Sequence, residues 1–225
     1  MTVAGAEAPR IDHYDWAGGR EAMLRFGPAD AAATVVVALP LLEEANRTRA
    51  LAAAVLRVLA ARRIAGVLPE LPGTGESVVP TEAMRLADLR EAFLAARERV
   101  GGGVVVVSIR SGALLVTPAQ GKCDAERWSL SPQTGVEVVR EWQRLRAAGD
   151  GVTVAGNRIA AALWDDLAGA EPPAARVLRL EGDPRPADRI VAAPPPWRRA
   201  EPEADPALAG LLAEDIADWI ARCDG

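Results

Sequence analysis

Along the first half of the chain, short unbroken runs of apolar residues alternate with longer stretches in which apolar residues recur every three or four positions. The short runs predict strands and the longer stretches helices, because side chains repeat every two residues in a strand and every 3.6 in a helix. Residues 21–27 (EAMLRFG) predict a first strand, and residues 34–39 (TVVVAL) a second. The unbroken apolar character of the second suits a central strand covered on both faces. A helix follows over 43–63, with Leu51, Val55, Leu56, Val58 and Leu59 on one side. Glu43 and Glu44 stand at its positive end, where the helix dipole favours them. Residues 67–71 predict a strand weakened by Pro69, leading into a glycine turn at 72–77. Residues 85–99 predict an amphipathic helix with Leu86, Leu89, Phe93 and Leu94 along one stripe. Then comes 101–116, GGGVVVVSIRSGALLV. Three glycines release the chain, and four valines form a run too short and too β-branched for a helix. At Ser108-Ile109-Arg110-Ser111-Gly112 the strand turns sharply into an apolar segment.

The second half is less regular. Strands are predicted at 126–130, 176–181 and 189–193, helices at 135–148 and 159–167, and a short strand or turn at 152–157. Residues 194–197 form a stiff proline turn that reads as a surface crossing. A terminal helix spans 205–223, with Asp205 as N-cap and Pro206 in the first turn. Residues 1–20 read as a polar, irregular arm carrying His13, Tyr14 and Trp16, with His13 on the surface. Trp128, Trp142, Trp164 and Trp219 are expected in the core. With no internal repeat and no linker, residues 1–225 are expected to form one domain.

Alternating strands and helices call for a mostly parallel sheet between two helical layers, joined by right-handed crossovers. Ligands in such folds gather at the carboxyl ends of the strands. Three of these ends are visible: Pro40-Leu41, Pro72-Gly73-Thr74-Gly75 and Ser108-Ile109-Arg110-Ser111.

Composition narrows the function. Half of the 225 residues are apolar and a quarter charged, as in a globular protein. The net charge of −5 argues against a general nucleic-acid or membrane-surface binder. Cys123 and Cys223 stand far apart with no CxxC spacing, so neither a metal site nor a disulfide framework is expected, and no cofactor motif is present. The Gly73-Thr74-Gly75 turn lacks the third glycine of a dinucleotide fingerprint and the Gly-Lys-Ser/Thr of a P-loop. No apolar run is long enough to span a bilayer. The first residues lack a basic start followed by an apolar core, so a cytoplasmic location is expected.

The chemistry centres on Arg110. A strand, a tight turn and small residues two positions to either side (Ser108 and Gly112) outline a nucleophile elbow. Arg110 occupies its centre, where a hydrolase carries its nucleophile. A triad of this kind runs nucleophile, acid, His along the chain. Glu181 or Asp183 could supply the acid, but the single His, His13, lies far upstream of the elbow. Arg110 then has two readings. It could be salt-bridged to Glu43, Glu44 or Glu70, or it could clamp an anion beside the free N–H groups of a helix start. Glu43, Glu44 and Asn46 are either helix-capping groups or a wall of the site. An alternative is a rearranged ester or thioester hydrolase using Ser111 or Ser108 with Asp183.

Three stretches carry a family resemblance. Residues 39–49 (LPLLEEANRTR) look like the PPF-x-EE-x-N-x-(S/T)-R stretch of the exosortase A system-associated hydrolases. Residues 70–77 (ELPGTGES) resemble their DLPG-x-G-(D/E)-S turn, and 108–115 (SIRSGALL) are similar to the G-x-R-x-G-A-L-L elbow of the second of these two families. The resemblance implies an α/β-hydrolase-like three-layer sandwich with a reduced or absent cap. It also implies a link to exopolysaccharide production and protein sorting, with a possible protein partner there. By the same carry-over Arg110 takes the nucleophile position, and the backbone N–H groups of Leu41 and Ser111 take the oxyanion-hole positions. The combined expectation is a protein without a working Ser-His-acid triad that binds a small anionic or acyl ligand, or a partner, at the Arg110 elbow. Its expected contacts are Leu41, Glu43, Glu44, Asn46, Arg110 and Ser111.

Overall fold

A computed structural model describes residues 8–101, 103–117, 127–146, 153–199 and 201–223. Eight strands form one sheet: β1 (Arg10–Trp16), β2 (Gly19–Phe26), β3 (Ala33–Ala38), β4 (Ala65–Pro69), β5 (Gly103–Ile109), β6 (Arg127–Leu130), β9 (Arg176–Leu180) and β10 (Arg189–Val191). A separate hairpin is made by β7 (Thr153–Val154) and β8 (Asn157–Arg158). The helices are α1 (Glu43–Ala61), α2 (Leu86–Val100), α3 (Gly135–Leu145), α4 (Ala161–Ala168) and α5 (Pro206–Cys223). The sheet order is β1-β2-β4-β3-β5-β6-β9-β10. From β4 to β10 every neighbouring pair is parallel, whereas β1 and β2 run antiparallel. The expected mostly parallel sheet between helical layers is therefore the architecture. Among the described residues between α3 and β9 stand the β7–β8 hairpin and α4, a reduced cap.

The valine runs explain why β3 and β5 sit at the centre. Val35, Val37, Val105 and Val107 pack on one face with Leu51 and Leu56 of α1 and Leu212 and Ile216 of α5. Val36, Val104 and Val106 pack on the other with Leu89 and Phe93 of α2 and Leu163 of α4. Alternate side chains of one strand thus meet two different cores, which is why no polar residue interrupts the run. Trp128 and Trp142 are buried, and Trp164 and Trp219 pack partly buried against the two cores. On the α5 side, Asp215 accepts the Trp128 indole N–H at 2.9 Å and is held by Arg176 at 2.8 Å and Arg189 at 3.0 Å.

Two expectations are corrected. The N-terminal stretch is not an irregular arm from residue 8 onward, because residues 10–16 form β1 and pair with β2. Tyr14 anchors the strand, buried and with its hydroxyl donating to the Glu70 carbonyl. His13 points outward on this edge strand. The second correction concerns the segment after the elbow, Arg110–Leu115. It is a six-residue 3-10 turn, not an α-helix. All six residues are buried, and the Arg90 guanidinium donates to the Leu114 carbonyl at 2.8 Å. A turn this short supplies no helix start for an anion. Residues 1–7, Cys123 and the predicted helix end at 147–148 lie outside the described residues.

Candidate functional site

The strand order brings the carboxyl ends of β3, β5 and β6 side by side. Each of these ends turns through a non-glycine residue of positive φ: Leu42 at 56°, Arg110 at 53° and Ser131 at 48°. Such conformations cost of order 1–3 kcal/mol each and cluster at functional sites. Arg110 is thus the apex of a sharp elbow, as expected. Gly112 makes that elbow possible, because a Cβ there would stand 2.3 Å from the Ala38 carbonyl oxygen and 2.6 Å from that of Leu39.

The Arg110 side chain is almost fully enclosed, with 9% of its surface exposed. Its Nε and Nη2 donate to the Glu44 carboxylate at 3.0–3.3 Å, and Nη2 also reaches Glu141 Oε2 at 2.7 Å. Gln133 donates to the same Glu141 oxygen at 2.8 Å. The Trp197 ring covers the guanidinium, with 4.8 Å between the guanidinium carbon and the ring centroid. Burial raises the Glu44 carboxyl above its ordinary range; Arg110 opposes that shift and the nearby Glu141 charge adds to it. Of the two readings of Arg110, the salt-bridged geometry is present, with Glu44 as partner. Glu43 pairs with Arg47, and Glu70 pairs with Arg49.

The expected oxyanion-hole N–H of Leu41 is already engaged, donating to Ser111 Oγ at 2.9 Å. Ser108 lies away from the cavities around Arg110, its hydroxyl 2.7 Å from that of Ser129. Asp183 sits beyond β9 at the place where a triad acid would follow, but its carboxylate is bound by Arg185 and Arg179. The Arg185 hydrogen bonds hold its carboxyl well below the usual carboxylate range, despite partial burial. The segment after the last strand, where a triad places its His, holds Trp197. His13 is separated from β5 by β2, β4 and β3.

Three cavities open at these strand ends. The front cavity, about 270 Å³, is walled by Leu41, Leu42, Val138, Trp142, Val154 and Trp197, with Glu43, Glu44, Glu141 and Ser111 as polar groups. A second, about 320 Å³, lies on Arg110, Ser131, Glu181, Asp183 and Arg185 and shares Trp197 and Arg198 with the first. A third, polar cavity of about 410 Å³ takes in Asn46 and the Gly73-Thr74-Gly75 turn. Leu41, Glu43, Glu44 and Ser111 are therefore brought together, while Asn46 faces a neighbouring cleft. Glu141, Gln133, Ser131, Trp197 and Arg198 were not expected at the site. Among the described residues no three His, Cys, Asp or Glu stand close enough to hold a metal ion. No described helix is long and apolar enough to cross a membrane.

No protein-family model and no curated protein sequence matches this chain. Solved structures do. One is a haloalkane dehalogenase loop variant from Bradyrhizobium elkanii, at TM-score 0.61 and 14% identity over 96% of this chain and 99% of that one. Another is Est1E from Butyrivibrio proteoclasticus with ferulic acid bound, at TM-score 0.61 and 14% identity over 94% of this chain and 98% of that one. At such identity the likeness shows the fold alone, and that fold is the α/β-hydrolase fold.

Proposed function

We propose that this chain is a non-hydrolytic member of the α/β-hydrolase fold that binds an acyl ligand in the front cavity. The observation that carries this reading is the state of the elbow apex. Arg110 has no nucleophilic atom to offer at neutral pH, and Glu44, Glu141 and Trp197 enclose it. The neighbouring serines are committed to Leu41 and Ser129, and Asp183 is neutralised by two arginines. A carboxylate held so strongly ionised is a poor general base near neutral pH.

The front cavity supports an acyl ligand over a freely charged one. Its walls are mostly aliphatic and aromatic, and its acids outnumber its arginines, Glu43, Glu44 and Glu141 against Arg47 and Arg198. Its volume, about 270 Å³, is just below the roughly 300–1,000 Å³ of typical small-molecule sites, which suits a short chain. The resemblance of residues 39–49, 70–77 and 108–115 supports the reading that this binding serves an exosortase and exopolysaccharide system, with a protein of that system as partner, and we propose that it does so in the cytoplasm.

The test combines two measurements on the intact protein. A fluorophosphonate probe should leave the protein unlabelled, and the uncharged ester methyl octanoate should bind saturably and lose affinity in Leu145→Glu, at an exposed residue lining the cavity mouth. Stoichiometric labelling of Ser111 or Ser108 would instead establish the rearranged ester or thioester hydrolase, which the hydrolase neighbours keep in view.

A further inference from the structure

The second cavity has donors of its own in Arg110 and Ser131, which do not line the front cavity, and it shares Arg198 with that cavity. Arg110 lines this cavity, and its Nη1 makes no hydrogen bond among the described residues, whereas Nε and Nη2 are taken by Glu44 and Glu141. Ser131 lines it too. This serine is 1% exposed and held at φ 48°, and its hydroxyl has no hydrogen-bond partner among the described residues. A buried hydroxyl left in that state costs free energy unless something accepts or donates to it. The third group is Arg198, exposed and without an ion-pair partner among the described residues. Arg185 and Asp183, also on this cavity, neutralise each other, and Arg185 additionally holds Glu137. The remaining charge is Glu181, exposed and unpaired among the described residues.

From this we infer a second ligand subsite, for a compact oxyanion group such as a carboxylate or phosphate, bound by Arg110 Nη1, Ser131 Oγ and Arg198. Two guanidinium groups and one hydroxyl match the acceptor oxygens of such a group, and charge-assisted bonds of this kind are the strong ones. Ser131 serves here as a donor only, because no imidazole stands among the described residues of the cavity to activate it. Glu181 is the opposing charge and restricts the site to ligands whose oxyanion lies away from the rim. The inference shares with the proposed function only the premise that Arg110 is not a nucleophile.

Titration calorimetry with inorganic phosphate and with acetate, at fixed ionic strength against a chloride control, tests it. At least one of the two anions should bind saturably. Ser131→Ala and Arg198→Gln should each weaken that binding roughly five- to tenfold, as loss of a charge-assisted bond does. Glu181→Gln should strengthen it. Stronger phosphate than acetate binding would assign a phosphate ligand, and the reverse a carboxylate. Leu145→Glu, at the mouth of the front cavity, should leave anion affinity unchanged, so the acyl reading and this one fail separately. Absence of saturable binding by both anions, or binding indifferent to Arg198→Gln, would overturn the inference. Arg198 is exposed, so its variant tests the site even where Ser131→Ala disturbs the fold.

Discussion

The Arg110 guanidinium lies beneath the Trp197 ring, 4.8 Å from its centroid. One residue is the apex of the β5 elbow, and the other follows the last strand of the sheet. In a triad these two places would hold the nucleophile and its base. Here they hold a stacked cation and an aromatic ring, and Arg47 donates to the Trp197 carbonyl at 3.0 Å to tie the ring's backbone to α1.

Replacing the apex should therefore cost stability without creating activity. Arg110→Met leaves Glu44 and Glu141 facing each other with no cation between them. With Glu141 partly solvated, the expected loss is about 2–3 kcal/mol near neutral pH, read from urea midpoints. Glu44 already takes its proton more readily in the folded state than in the unfolded one. A raised carboxyl pKa favours folding as pH falls, so part of the loss should return on acidification toward the ordinary glutamate value of 4.5. Arg110→Ser should show no ester turnover above buffer, because no imidazole stands beside it.

Trp197→Ala should join the front and second cavities, which share this ring as a wall. Removing a buried indole costs about 3 kcal/mol or more, and the cation–π contact with Arg110 adds to the loss. Methyl esters with chains longer than that of methyl octanoate should bind the variant better than the parent protein, as measured by calorimetry.

The acid limb of the stability curve should follow Asp183 and Asp215. Arg185 lowers the first. For the second, burial opposes ionisation, and the hydrogen bonds from Arg176, Trp128 and Arg189 outweigh it. A lowered carboxyl pKa contributes stability above the ordinary aspartate value of 3.8, and that contribution is lost as pH falls below it. Melting temperatures should fall steeply in this window. Asp215→Asn should start about 3 kcal/mol less stable and fall less steeply, since Arg176 has already lost its partner.

Gly112→Ala should destabilise by about 2–3 kcal/mol, because the added Cβ meets backbone carbonyls that cannot rotate away. Gly169→Ala is the control. Nothing lies within 4 Å of its Cβ position, and its stability should stay within about 0.5 kcal/mol of the parent. Chemical denaturation of the two variants side by side checks both.

Much of the fold was legible in local patterns. The valine runs, the stripes of α1 and α2 and the Asp205 cap, which accepts the Leu208 N–H at 3.0 Å, each depend on residues a few positions apart. The edge strand β1 escaped because its alternation is faint. Only Tyr14 is buried along it, and pairing with β2 rather than its own composition holds it in place. The 3-10 turn escaped for a similar reason, since its shape depends on the Ala38 and Leu39 carbonyls pressed against Gly112.

By itself, then, the sequence determined the alternating sheet, the elbow and an arginine at its apex, because periodicity and turn chemistry act over a few residues. Tertiary structure decided what that arginine meets. Glu44 comes from α1, Glu141 from α3 and Trp197 from beyond β10, and only the strand order brings three such distant segments to one point. A charge's partners depend on distance in space, and the spacing of residues along the chain does not encode that distance.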